Sequence, residues 1–155
     1  MIAPEKIDMP WFLLAFDRGA LSTTPTIVCC PAEEIPGFHA SAVAAANKQH
    51  YIVVDVAPDE DPREAVFAKI GRESTVAAAV ERHLKTTKRD IYVIVRDADR
   101  LAADETGLAI LWALKSARDR VDPRLRLLFF GTDRAALQSF VSPKSAPFLD
   151  SRVLG

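Results

Sequence analysis

Four short apolar runs organise the chain: residues 26–30 (TIVCC), 51–56 (YIVVDV), 91–96 (IYVIVR) and 126–131 (RLLFFG). Each is rich in β-branched or aromatic side chains and nearly continuous rather than alternating, which suits strands buried on both faces of a helix-covered parallel sheet. The stretches between them carry helical signals. Residues 38–49 are alanine-rich, and residues 61–70 open with Pro62 in a first turn and stop at Gly71, where a helix tolerates those two residues best. Residues 73–84 place Val76, Val80 and Leu84 four apart on one face, as a helix with a buried stripe requires. Asp104 is positioned to cap a helix over 105–118, on which Leu108, Leu111, Trp112 and Lys115 share a side, and residues 133–140 form a shorter candidate. Strand alternating with helix at this spacing predicts right-handed crossovers and a three-layer α/β/α domain with a mainly parallel sheet.

Composition narrows the function classes. The chain has 155 residues, 49% hydrophobic and 26% charged, enough for one domain with a real core and the balance of a folded protein. A formal charge of −1 leaves no global field to recruit nucleic acid, so any such contact needs a local basic patch. No apolar run approaches a membrane span, and residues 1–10 lack the basic start and apolar stretch of a secretory signal. Cys29 and Cys30 are neighbours on a strand; they point to opposite faces and are poorly placed to bond to each other. Buried thiols in a reducing cytoplasm are the expectation.

The order of these pieces, with residues 94–101 (IVRDADRL) ending a strand in acids and residues 127–134 (LLFFGTDR) ending one in Gly-Thr, resembles the AAA+ division of P-loop NTPases. The similarity runs over residues 11–155, and its nearest flavour is the small bacterial ATPases that accompany transposases or secretion machinery. The resemblance implies a P-loop NTPase-like fold over residues 1–155, with strand order 5-1-4-3-2. It also implies that the chain stops before the family's fifth strand and helical lid. Loss of strand five would leave residues 26–30 at an edge, which invites association. Cover from residues 1–25 or self-association is therefore expected.

The resemblance also fixes where a nucleotide site belongs, and there the sequence departs from the pattern. A working phosphate loop reads G-x-x-x-x-G-K-S/T: its glycines let backbone N–H groups curl around phosphate, its lysine neutralises charge and its hydroxyl holds magnesium. Here the corresponding residues 32–39 read AEEIPGFH. Gly37 matches. Ala32 stands at the first glycine, Phe38 at the lysine and His39 at the hydroxyl. Glu33 and Glu34 put negative charge where a polyanion belongs, and Pro36 removes an N–H. An ordinary strand-to-helix loop of an unrelated α/β domain gives the same reading.

The second half-site is altered too. The Walker B pattern needs an aspartate to orient magnesium and a glutamate to polarise the attacking water; here those positions hold Arg96 and Asp97. Arg96 repels the metal and is free to pair with Glu33, Glu34 or Asp97. Asp97 and Asp99 equally suit a hydrogen-bonded turn. Thr132 occupies the sensor-1 position, although Gly131-Thr132-Asp133 also reads as a turn with a helix N-cap. Residues 148–153 (FLDSRV) resemble the segment carrying an arginine finger, so Arg152 is either a finger for a neighbour's site or a surface arginine.

The other candidates are weaker. His39, His50 and His83 lack metal-site spacing, no nucleophile elbow exists, and no metal is expected. Trp11 and Phe12 suit core or edge packing, or a partner contact. Lys85, Lys88 and Arg89, with Arg82 upstream, form a basic cluster that is either a solvated loop or, as in DNA-associated relatives, a phosphate contact. The expectation is a cytoplasmic, non-catalytic pseudo-ATPase with no cofactor, acting through a protein partner, an active AAA+ ATPase among the candidates. The alternatives are an ATP- and magnesium-dependent ATPase with an aberrant loop, and a nucleic-acid-associated accessory protein.

Overall fold

The computed structural model describes residues 8–17, 25–143, 145–149 and 151–155. Five parallel strands form one sheet: β1 (Thr26–Cys29), β2 (Ile52–Val56), β3 (Ile91–Val95), β4 (Leu125–Gly131) and β5 (Val153–Leu154). Their order across the sheet is β2-β3-β4-β1-β5, the 5-1-4-3-2 order read from the other edge. Helices α1 (Met9–Asp17) and α2 (Ile35–Lys48) cover one face, while α3 (Pro62–Ile70), α4 (Val76–Thr86), α5 (Glu105–Val121) and α6 (Arg134–Gln138) contribute to the core of the other.

Strand alternation divides the two cores. In β3, Ile91, Val93 and Val95 face α3–α6, whereas Tyr92 and Ile94 face α1 and α2. β4 splits likewise, with Leu125, Leu127 and Phe129 on the first side and Leu128 and Phe130 on the second. The α1–α2 side is aromatic. The Phe12 ring centroid lies 5.1 Å from that of Phe38 in an edge-on contact, and Phe16 stacks on Tyr92 at 5.4 Å. Phe12 thus packs over a face of the sheet, and a helix here was not evident in the sequence.

The fifth-strand expectation is corrected. Val153 and Leu154 pair with Ile27 and Val28, so β1 is flanked on both sides. The described part of residues 1–25 packs on a face of the sheet, leaving the β1 edge to β5. The segment before β5 is anchored by Phe148, buried 5.5 Å from Phe129.

Caps set the helix starts. Asp61, Thr75, Asp104 and Asp133 each accept a backbone N–H of the first turn, at 2.8, 3.0, 2.9 and 3.1 Å, satisfying groups a helix otherwise leaves open. Thr75 therefore starts α4 later than residue 73. On α5 the buried stripe is Gly107, Ile110, Leu111, Leu114 and Ala117. Leu108 and Trp112, expected to share a side with Leu111, are instead 45% and 42% exposed. Gly107 permits a close approach, since a Cβ there would lie 2.1 Å from the Leu101 carbonyl oxygen.

Candidate functional site

The segment after β1 is helical almost from its start. Pro31 is extended, residues Ala32–Glu34 form a 3-10 turn, and α2 begins at Ile35, three residues before the expected start. The Glu34 N–H donates to the Pro31 carbonyl at 2.9 Å, and the Ile35 N–H donates to Ala32. These donors bond to the chain itself, whereas an anion nest needs them turned outward by alternating left- and right-handed residues. Gly37 sits inside α2 and is not among the positive-φ glycines. Van der Waals contact covers it, for its Cβ position would meet Met9 Cε at 3.5 Å. Glu33 and Glu34 stand in the first turn of the 3-10 segment and supply negative charge where a helix start favours it.

Phe38, which the resemblance aligns with the lysine position, is 3% exposed and packs with Phe12, Val28 and Phe130. Its side chain belongs to the core. The next residue, His39, reaches β2: its Nε2 lies 2.8 Å from Asp55 Oδ1. Val54 and Val56 face α3–α5, so Asp55 between them points to the α2 side. Arg96, one residue beyond β3, emerges on that same side and brings Nη2 to 3.5 Å from the same Asp55 oxygen. The residues that the sequence resemblance aligns with the hydroxyl and Walker B positions, His39 and Arg96, thus converge on one carboxylate. Arg96 pairs with Asp55, a strand residue, and not with the expected Glu33, Glu34 or Asp97. Asp55 was missed in the sequence, where its only signal was a lone acid in an apolar run.

Asp97 follows in the left-handed region (φ 55°, ψ 40°) and is exposed, a conformation aspartate tolerates better than most residues. The turn it opens is held by its neighbours. Asp99 Oδ2 accepts the backbone N–H groups of Thr132 at 3.0 Å and Asp133 at 2.9 Å, and the Thr132 hydroxyl at 3.4 Å. Arg100 Nη2 donates to the Glu60 carbonyl at 2.7 Å and the Ala57 carbonyl at 3.3 Å, joining the loops after β2 and β3. Thr132 therefore bonds inward to Asp99, while Asp133 caps α6.

Cys29 and Cys30 enter opposite cores and are free thiols. Burial, reinforced by Glu34, Cys29 and Glu33, pushes the Cys30 thiol up to about 11. Arg152 is exposed immediately before β5. No group of three or more candidate metal-binding side chains exists among the described residues. No helix among those residues is long and apolar enough to cross a membrane.

Among known proteins, no family model and no curated sequence matches the chain. Solved structures do. The Aeropyrum pernix ORC2 protein, in ADPNP–ADP complexes, is 15% identical with a TM-score of 0.61, covering 99% of this chain and 49% of that one. The Aeropyrum pernix ORC1 protein in complex with DNA is 13% identical with a TM-score of 0.61, covering 97% of this chain and 46% of its own. The chain spans about half the length of each of these two structures. With the strand order β2-β3-β4-β1-β5, these likenesses show that the chain has the AAA+ fold of the P-loop NTPases.

Proposed function

We propose that this chain is a pseudo-ATPase, an AAA+-like module that acts through protein–protein contact and regulates or completes an active ATPase partner. The observation that carries the reading is the convergence of His39 and Arg96 on Asp55. In a P-loop enzyme the two half-sites meet around magnesium and phosphate. Here a basic side chain from each half-site meets one carboxylate, and a metal cation entering that space faces the Arg96 guanidinium. The 3-10 turn at Ala32–Glu34 and the buried Phe38 withhold the backbone donors and the positive charge that phosphate needs. No cofactor is assigned.

The partner side of the proposal draws support from two features. Leu108 and Trp112 lie four residues apart on α5 and are 45% and 42% exposed, and exposed tryptophan is enriched where interfaces concentrate their binding energy. Arg152 is exposed beside β5, where it is available to a neighbour's site. Calorimetry with ATP and magnesium tests the core of the reading. No binding heat and no phosphate release are expected, and micromolar binding with turnover would establish the competing reading, an ATPase with an aberrant loop.

A further inference from the structure

All five strands run the same way, so the fold has two poles. The pole at the strand C-termini, where AAA+ domains take phosphate, carries Glu33, Glu34, Asp55, Asp97, Asp99 and Asp133. The opposite pole is built from the α4–β3 and α5–β4 connections. Two adjoining clefts open there, of about 690 and 540 Å³, sharing Leu84, Lys85 and Arg124.

The charges in these clefts sort into spent and free. Glu81 pairs with Arg120 at 2.7 Å, Asp90 with Arg124 at 2.7 Å and Asp122 with Arg118 at 3.7 Å. Each acid of the lining is thus already matched by an arginine. Of the basic cluster seen in the sequence, two members are structural. Arg89 donates to the His50 and Tyr51 carbonyls at 2.9 Å, and Arg82 donates to the Ile70 carbonyl at 2.6 Å. Lys85 and Lys88 remain, exposed and without an ion-pair partner among the described residues. His83 behind them reports the same field: burial, with Arg82, Arg124 and Arg89 close by, holds its imidazole below the ordinary value.

We propose that this pole binds the phosphate backbone of a nucleic-acid duplex, with Lys85 and Lys88 as the phosphate contacts. Lysines are flexible point charges suited to phosphate oxygens, and a duplex presents charge at the density two neighbouring lysines can use. No aromatic side chain lines either cleft, so the stacking platforms that hold single strands are missing there. The contact is therefore sequence-independent and positions the protein without reading bases. This site is separate from the nucleotide pole and stands whether or not ATP binds.

Fluorescence anisotropy with a short labelled DNA duplex tests it. The 155-residue chain should bind at low salt and weaken as salt rises, each phosphate contact adding about 0.9 to the log–log slope. Lys85→Glu and Lys88→Glu together should lower affinity about tenfold or more and reduce that slope by about 2. Both residues are exposed, so circular dichroism should show an unchanged fold. Arg134→Glu reverses a charge at the opposite pole and should leave binding within about twofold. Absence of binding at low salt overturns the proposal. So does an equal loss from Arg134→Glu, or displacement of the duplex by inorganic tripolyphosphate at the same phosphate concentration.

Discussion

His39 Nε2 and Asp55 Oδ1 lie 2.8 Å apart, joining the first turns of α2 to the C-terminal end of β2. Arg96 shares the same carboxylate oxygen at 3.5 Å. The three side chains are 15%, 37% and 32% exposed, so the cluster lies between a surface pair and a buried one. Replacing the carboxylate leaves two facing basic groups and a half-buried guanidinium. Asp55→Ala should destabilise the fold by about 1–2 kcal/mol, more than an exposed pair provides. The double variant with Arg96→Ala should recover part of that loss. Urea unfolding measures both, and a neutral Asp55→Ala would mean that the cluster does not hold the site closed.

Phe38, aligned with the lysine position by the sequence resemblance, lies in the aromatic core with Phe12 and Phe130. Phe38→Lys should therefore cost about 3–5 kcal/mol, combining a lost aromatic side chain with a charge forced into an apolar layer. A stable Phe38→Lys chain that binds ATP would show that the loop still opens into a phosphate site.

Asp99 holds the turn after β3 against the turn after β4 through three accepted hydrogen bonds. Asp99→Ala leaves two exposed backbone N–H groups to water and should cost about 1–2 kcal/mol. Thr132→Val removes the longest of the three, at 3.4 Å, and should cost under about 1 kcal/mol. Equal effects in thermal melts would contradict this ranking.

Gly107 has no room for a methyl group, because its Cβ position lies 2.1 Å from the Leu101 carbonyl oxygen. Gly107→Ala should cost on the order of 3 kcal/mol despite its gain in helix propensity. A more stable variant would show that α5 slides freely past Leu101.

The Cys30 thiol is raised from 9.0 to about 11 in the folded chain, with burial as the largest cause. The unfolded chain loses this proton first, so the contribution is fully present below pH 9.0 and is lost as pH rises through about 11. At neutral pH, alkylation of the native protein should label Cys29, which is partly exposed, and spare Cys30 until unfolding. Equal rates at both thiols would place Cys30 nearer to solvent than the structure does.

The sequence by itself determined the local elements. The continuous apolar runs marked β1 to β4, because strands covered on both faces admit little polarity; Pro62 marked the first turn of α3, and Asp104 and Asp133 announced their helix starts by cap chemistry. The expected departures from the phosphate-loop pattern at Ala32, Phe38, His39 and Arg96 rest on residue types at known spacings and needed no tertiary information. Pairings between distant segments were not. The two-residue β5 is too short to have a periodicity and exists because β1 offers it an edge. α1 reads as one more apolar stretch until α2 and the sheet give it a surface. Asp55 looked like a lone acid in a strand until α2 and β3 brought His39 and Arg96 to it. Lys85 and Lys88 parted from Arg82 and Arg89 only when folding put carbonyl oxygens within reach of the two guanidiniums. A side chain's partner depends on which remote backbone or charge arrives beside it, and that depends on packing rather than on local pattern.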